Sequence, residues 1–180
     1  MVASSEIEIR AALSADMTSV AEIYRQEVIA GTATFETQPP DAGEMEARLE
    51  AVTAAGYPWL VAVTEGRCAG YAYANSFRSR PAFRNTVENS VYVAVDQRGS
   101  GIGRALLARL IDECAARGFR QMVAVIGDSA SQQRSIRLHA GLGFETVGTM
   151  PDIGWKQGRW LDVVLMQRKI GSGATTAPRM

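Results

Sequence analysis

The stretch that decides the fold is "VYVAVDQRGSGIGRALLARLIDECAARG", residues 91–118. It begins with the alternating apolar residues of a strand, passes Gly99, Gly101 and Gly103, and continues with apolar residues at helical spacing. A helix N-terminus carries unpaired N–H groups and a partial positive charge, and glycines there let an anion approach the backbone. The stretch therefore predicts a strand, an anion-binding turn and a helix, although a turn that only redirects the chain would have the same glycines.

Arg98 and Arg104 flank this turn and can add charged contacts to an anion. The spacing does not fit two familiar phosphate-binding motifs. The sequence lacks the P-loop pattern G-x-x-x-x-G-K-[ST], and "GSGIGR" lacks the third glycine of the dinucleotide fingerprint at its usual place. The turn also follows several predicted strands, which excludes a first strand–helix unit of the dinucleotide-binding type.

The composition of the 180 residues limits the possible partners. Lys plus Arg and Asp plus Glu number 19 each, so no nucleic-acid partner is expected. Cys68 and Cys114 fit neither a zinc motif nor a disulfide framework, which predicts reduced thiols and no metal. No signal peptide is apparent, and no apolar run approaches the ~20 residues that span a bilayer. We expect a cytoplasmic protein that does not bind a membrane.

Hydrophobic periodicity predicts the element order β, α, α, β, β, β, α, β, α, β, β. Asp41, with Glu44 three residues later, is typical of a helix start, and Glu65-Gly66 is typical of a turn between strands. The mixed order indicates an α+β fold with a central, mostly antiparallel mixed sheet flanked by helices on both faces. We predict one domain over residues 1–170 and a disordered tail over residues 171–180.

Several segments resemble one enzyme family. "QRGSGIGRALL" after "VYVAVD" matches R-x-x-G-x-G/A, which resembles the acetyl-coenzyme A pyrophosphate loop of the GNAT acetyltransferases. The resemblance covers about residues 7–169 and is greatest to the phosphinothricin and methionine sulfone or sulfoximine N-acetyltransferases. Its strings are "TATFETQPP", "GYPWLVA", "GYAYANSFRSRPAFRNTVENSVYV", "AVIGDSAS", "IRLHAGLGF" and "GRWLDVVLMQ". It implies the GNAT fold, acetyl-coenzyme A as co-substrate, and direct N-acetylation of a small amino-acid analogue.

The resemblance also implies which residues bind the coenzyme. The backbone of the glycine turn would wrap the pyrophosphate, and the preceding strand would pair with the pantetheine arm. A β-bulge in that strand is expected, because it would splay the strand from the next one. The predicted coenzyme-binding residues are Val91, Tyr92, Val93, Arg98, Gly99, Ser100, Gly101, Ile102, Gly103, Arg104, Gln132 and Ser135.

Glu88 and His139 are the predicted catalytic residues. Glu88 matches a family glutamate that acts as base on the acceptor amine; on the residues alone, a solvated carboxylate at a strand end fits as well. His139 is the only histidine and matches a site position in the phosphinothricin group. Its role stays open between acid, orienting group and packing. The family commonly has an asparagine where this chain has Gln132 or Ser131, and Ser135 approaches the coenzyme or caps its helix.

The acceptor side is predicted from distant segments. Phe35 matches a family aromatic residue that lies against the acceptor. Arg78, Arg80 and Arg84 would suit a carboxylate and a sulfone, sulfoximine or phosphinate, unless they are solvated loop charges. Asn89 and Ser90 directly follow Glu88 and would contact polar groups of the acceptor. Residues 154–160 match a late hairpin near the dimer interface of relatives, which implies a homodimer.

Two other functions remain possible on these residues. One keeps the chemistry but changes the acceptor to an aminoglycoside, a polyamine or a protein N-terminus. The first two favour acidic pockets, whereas the loop of residues 78–84 is rich in arginine. The other function is an acyl-coenzyme A sensor without turnover, against which the presence of Glu88 argues.

Overall fold

A computed structural model describes residues 6–178 of the chain. The strands are β1 (Glu8–Ala11), β2 (Trp59–Thr64), β3 (Arg67–Ser76), β4 (Thr86–Val93), β5 (Gln121–Gly127), β6 (Glu145–Lys156) and β7 (Arg159–Lys169). The helices are α1 (Met17–Ile29), α2 (Ala42–Ala54), α3 (Ile102–Ala116) and α4 (Gln133–Ala140). This order along the chain confirms the predicted order of strands and helices.

The seven strands form one mixed sheet in the order β1-β2-β3-β4-β5-β7-β6. Every neighbouring pair is antiparallel except β4 and β5, which are parallel. Successive residues of β2 face opposite sides, so Leu60 packs in the core beneath α3 and Val61 in the core beneath α1 and α2. The predicted α+β fold with helices on both faces of the sheet is confirmed.

Local sequence signals explain several element boundaries. The carboxylate of Asp41 accepts a hydrogen bond from the Glu44 N–H at 2.8 Å, as a helix N-cap requires. Glu65 and Gly66 both have positive φ angles in the turn between β2 and β3. Strand β6 spans 12 residues, and two register shifts in its pairing with β7 interrupt its alternation of apolar and polar residues.

Strands β4 and β5 pair only over residues 86–89 of β4. Beyond Asn89 the two strands diverge, while β4 stays paired with β3 as far as Val93 and β5 stays paired with β7. The gap between residues 90–93 of β4 and residues 125–127 of β5 is called the wedge below. The register between β3 and β4 is regular throughout, so the β-bulge predicted in β4 is wrong. The strands separate because β5 follows β7 away from β4.

The structure describes residues 171–178 of the segment that is predicted to be a disordered tail, and its disorder stays a prediction. Residues 171–176 form turns and bends, and the Arg120 guanidinium donates to the Gly173 carbonyl at 3.2 Å and to Thr176 Oγ1 at 3.1 Å. These bonds give the segment a defined path next to β5. Residues 179–180 lie outside the described residues.

Cys68 and Cys114 are free thiols. Within residues 6–178, no cluster of His, Cys, Asp or Glu side chains is arranged to hold a metal ion. No helix in the same span is long and apolar enough to cross a membrane. The cytoplasmic location stays a prediction.

Candidate active site

A groove of about 790 Å³ follows the wedge and reaches both faces of the sheet. The loop of residues 30–41, β3 and the even-numbered residues of β4 line it on the side of α1. The start of α3 and the helix α4 line it on the other side. Most predicted coenzyme residues lie in its wall: Val91, Tyr92, Val93, Arg98, Gly99, Gly101, Gly103, Arg104, Gln132 and Ser135.

The glycine turn has the geometry that its sequence predicts. Gly99 and Gly101 have φ angles of +89° and +92°, a region that residues with a Cβ rarely adopt. A Cβ at either position would have no heavy atom within 4 Å. Gly101 precedes α3, and no side chain within residues 6–178 caps this helix start. The first N–H groups of α3 are therefore available to an anion.

Three other residues of the turn have side chains engaged elsewhere. Arg98 forms an ion pair with Glu27, and its Nε donates to the Val93 carbonyl at 3.3 Å. Ser100 donates to the Gln97 carbonyl at 2.6 Å and is not part of the groove wall. The side chain of Ile102 is buried in the core, which leaves its backbone N–H as the group able to bind a ligand. Their roles in coenzyme binding stay predictions.

Glu88 lines the groove at the closed end of the wedge, on the side of the sheet that α1 covers. Burial raises the pKa of this carboxyl, and no charged neighbour offsets that effect. Opposite Glu88 and Ser90 in the ladder are Asn75 and Tyr73 of β3. Tyr73 also lines the groove, although the sequence analysis did not select it. The alternation of side chains along β3 is the sequence pattern that could have identified Tyr73 as a groove residue.

Phe35 lies in a notch made by two glycines. A Cβ on Gly154 would overlap the Phe35 ring, and a Cβ on Gly127 would lie 2.9 Å from Phe35 Cε2. The ring lines the groove, and its contact with the acceptor stays a prediction. Thr34, next to it, also lines the groove and hydrogen-bonds to Tyr24 at 2.7 Å.

The loop that carries Phe35 is fastened by buried polar groups that the sequence analysis missed. Lys156 Nζ donates to the Thr34 carbonyl at 2.7 Å and to the Glu27 carbonyl at 3.3 Å, and burial lowers its pKa. Thr32 Oγ1 donates to Asp128 at 2.7 Å, and Arg159 also donates to this carboxylate at 2.5 Å. The Arg159 guanidinium holds the pKa of Asp128 at about 2. The hairpin of β6 and β7 thus fixes the loop that carries Phe35.

The structure does not bring the three predicted acceptor arginines to the groove. Arg78, Arg80 and Arg84 are exposed on the segment between β3 and β4, and none of them lines the groove wall. Arg78 instead lies over the Phe77 ring, 5.2 Å from its centroid. Nearness to Glu88 in sequence does not place them near it in space, because this segment leaves the sheet beyond the closed end of the wedge. Their binding of an acceptor stays a prediction.

Asn89 faces the opposite side of the sheet from Glu88 and is buried. Its Nδ2 donates to the Val123 carbonyl at 3.0 Å, and its Oδ1 lies 3.0 Å from His139 Nε2. His139 Nδ1 lies 2.8 Å from the Ser135 carbonyl, and burial lowers the pKa of the ring. Both polar atoms of the Asn89 side chain are thus engaged with the protein, although the residue also lines the groove, and its contact with the acceptor stays a prediction.

Comparison with known proteins agrees with this geometry. A family model described as an acetyltransferase (GNAT) domain matches residues 9–165. A phosphinothricin N-acetyltransferase of Alcaligenes faecalis is 47% identical over 163 residues, which are 91% of this chain and 82% of that protein. An L-amino acid N-acyltransferase of Escherichia coli is 45% identical, with 91% and 94% covered. A methionine sulfoximine and methionine sulfone acetyltransferase of Salmonella typhimurium is 42% identical, with 92% and 96% covered.

A solved structure gives the same result in three dimensions. The phosphinothricin acetyltransferase of Sinorhizobium meliloti, in complex with acetyl-coenzyme A, superposes with a TM-score of 0.93 at 49% identity. The alignment covers 96% of this chain and 93% of that one. With its glycine turn, its wedge and this degree of similarity, the chain belongs to the GNAT family of acetyl-coenzyme A-dependent N-acetyltransferases.

Proposed function

We propose that the enzyme acetylates the amino group of a small amino-acid analogue of the phosphinothricin, methionine sulfoximine or methionine sulfone type. The observation that carries the proposal is Glu88, a desolvated carboxylate at the closed end of the wedge. A base at this point can receive a proton from an amine that enters beside Phe35, while the co-substrate enters beside α3. The relatives named for these acceptors support the acceptor class.

The described residues fit acetyl-coenzyme A, which supplies the acetyl thioester. Gly99 and Gly101 leave open space at the start of α3, where uncapped N–H groups would hold the pyrophosphate. Residues 91–93 of β4 have no neighbouring strand on the side of the wedge, so their backbone would pair with the pantetheine arm. Gln132 and Ser131 both line the groove, and both remain candidates for a pantetheine contact.

In this mechanism Glu88 accepts a proton from the acceptor ammonium, directly or through one water. Its raised pKa brings the carboxylate nearer to the working pH, which favours proton transfer. The neutral amine then attacks the thioester carbonyl without an acyl-enzyme, the C–S bond breaks, and coenzyme A leaves as a thiolate that takes up the proton released by the new amide nitrogen, directly or through water. Burial raises the pKa of Cys114 to about 12 and also raises that of Cys68, so neither thiol is ionised near neutral pH.

The experiment that tests the acceptor is a thiol-release assay over a panel of amines. We expect phosphinothricin, methionine sulfoximine or methionine sulfone to give a higher kcat/KM than methionine, lysine or spermidine, because methionine lacks the oxygens that polar groups would bind. A highest kcat/KM with spermidine, an aminoglycoside or a peptide N-terminus contradicts the acceptor class. Coenzyme binding without release of thiol from any acceptor indicates a sensor instead.

We also propose that the enzyme is a homodimer in which a second copy covers the hairpin of β6 and β7. Trp155 and Trp160 are 58% and 57% exposed, and their rings form an edge-to-face pair with centroids 5.3 Å apart. Val147 and Ile153 of the edge strand β6 are also exposed. Clustered apolar side chains on an edge strand are typical of a protein contact.

Light scattering after size exclusion tests the dimer. We expect twice the chain mass of 19.4 kDa for the unmodified protein and the single mass for Trp155→Lys/Trp160→Lys. Leu13→Lys is the control, because Leu13 is 57% exposed outside the hairpin. A single mass for the unmodified protein, or a dimer that survives the double substitution, contradicts this interface.

A further inference from the structure

Asn89 and His139 meet where the wedge closes. Asn89 is the last residue of β4 that pairs with β5, opposite Ala124. Its side chain adds one more hydrogen bond between the two strands, from Nδ2 to the Val123 carbonyl at 3.0 Å. The same amide reaches His139 of α4 through Oδ1. One side chain therefore joins β4, β5 and α4 at the inner end of the groove.

The orientation of the Asn89 amide follows from its partners. A backbone carbonyl can only accept, so the atom facing Val123 is the amide nitrogen and the atom facing His139 is the amide oxygen. The Ser135 carbonyl, which faces the other ring nitrogen of His139, is also an acceptor. Each ring nitrogen of His139 thus faces a protein acceptor. Any proton that the ring carries lies in a bond to the protein and not on a free N–H in the groove.

The remaining surroundings of His139 also hold the ring. Its edge-to-face contact with Phe144 has a centroid distance of 5.0 Å, and the ring is almost fully buried. Burial lowers the pKa of the ring and so opposes the charged form that would satisfy both acceptors. Losing the ring proton to a substrate would break a buried hydrogen bond in either charge state, which is unfavourable.

We propose that Asn89 and His139 are a positioning pair that holds α4 at the closed end of the wedge, and that His139 is not the proton donor of acetyl transfer. The pair fixes the position of Ser135 in α4, and of Gln132 at the N-cap of this helix, relative to residues 91–93 of β4. Catalysis depends on the pair because it aligns the reacting groups. This inference rests on the proposed acetyl transfer.

Two substitutions of His139 separate positioning from acid catalysis. His139→Gln places an amide N–H near the position of Nε2, keeps a donor for Asn89, and cannot titrate. His139→Phe keeps a ring against Phe144 and loses both hydrogen bonds. We expect kcat of His139→Gln within about threefold of the unmodified enzyme, with the same pH profile. We expect His139→Phe to lose up to ~10²-fold, the size of a misalignment effect.

A double-substitution cycle tests whether Asn89 and His139 act as one unit. Asn89→Ala should lose about as much kcat as His139→Phe, and the two together should lose little more, because each already breaks the pair. Losses that multiply contradict a shared role. Circular dichroism and thermal unfolding of each variant identify any that fail to fold.

The state of the His139 ring can be measured on the unmodified protein without an acceptor, and any amine that the enzyme acetylates then supplies the kcat values for comparison. The chain has one histidine, so the imidazole ¹⁵N resonances of a histidine-labelled sample belong to His139. We expect one hydrogen-bonded form of the ring, without titration across the pH range in which kcat changes. A ring that titrates with the alkaline limb of kcat, together with a loss of ~10²–10⁴-fold in His139→Gln, would establish an acid and overturn the proposal. A wrong acceptor class alone changes neither result.

Discussion

The two sides of the groove are built differently. The side proposed to bind the coenzyme combines one continuous segment, β4 with the glycine turn and the start of α3, with the helix α4, and the turn presents backbone groups. The side proposed to bind the acceptor comes from the loop of residues 30–41 and β3, and the hairpin of β6 and β7 holds that loop through buried polar bonds. Backbone dihedral angles therefore control the first side, and packing between distant segments controls the second.

The largest expected effect is at the point where the two sides meet. Glu88→Gln should retain coenzyme affinity and lose ~10²–10⁴-fold in kcat, the usual range for a general base. Because burial raises the pKa of Glu88, kcat of the unmodified enzyme should fall as the pH decreases through that raised value. Steady-state rates across pH, with calorimetry of coenzyme binding, provide the measurement. Near-normal turnover of the variant at neutral pH would place the base elsewhere.

Glu88→Gln also has an expected effect on stability. A carboxyl whose pKa is raised in the folded state binds its proton more tightly than in the unfolded chain, so stability decreases as the pH rises from the unfolded pKa through the folded one. The glutamine variant has no carboxyl to ionise, so its stability does not decrease in this way as the pH rises. Its Tm should therefore exceed that of the unmodified protein at pH 8, and the gap should narrow in acid. A gap that is unchanged with pH would contradict burial of the carboxylate.

On the coenzyme side, Gly101→Val should weaken coenzyme binding by at least ~10-fold, since the φ of +92° strains any residue with a Cβ by about 1–3 kcal/mol. Gly118→Val is the matched control. Gly118 has a φ of +88° and open space around an added Cβ, and it follows the far end of α3, outside the groove. Titration calorimetry compares the two. Equal affinities for both variants would remove the turn from the coenzyme site.

On the acceptor side, Gly154→Ala should displace the Phe35 ring from its notch, because the new methyl group would overlap it. We expect acceptor kcat/KM to fall about 10-fold, an effect of ~1.4 kcal/mol, with coenzyme affinity unchanged. Gly148→Ala in the same strand is the control, since its Cβ would have no heavy atom within 4 Å. An equal loss of coenzyme affinity would show that the two sides are not independent.

The smallest effect on turnover is expected at the cysteines, which belong to neither side of the groove. Cys68→Ala and Cys114→Ala should keep kcat within about twofold, because direct transfer uses no acyl-enzyme. Cys114→Ala should lower Tm slightly, as its side chain is fully buried beneath α3. An acetylated cysteine that forms and decays at the rate of turnover is the result that would contradict direct transfer.

Features that depend on neighbouring residues could be predicted from the sequence, whereas contacts between distant segments could not. The element order, the Asp41 cap and the glycine turn depend on residues close together in the chain, and the structure agrees with each. The contacts of Lys156 with Thr34 and of Arg159 with Asp128 join segments more than 30 residues apart, and no local pattern predicts them. The sequence pattern also does not predict the full length of β6, because its register shifts disrupt the alternation of apolar and polar residues.

Successive side chains of β4 face opposite sides of the sheet and have different roles, so the register of this strand is critical. Glu88 and Ser90 lie on the side of the sheet where we propose that the acceptor binds, whereas Asn89 and the valines at 91 and 93 face the core beneath α3. Removing or adding a single residue within the strand would exchange these two sets and leave a buried carboxylate where the amide of Asn89 now stands. Length changes are therefore expected to be tolerated in the exposed segment of residues 77–85, outside the paired register, and not between Thr86 and Val93.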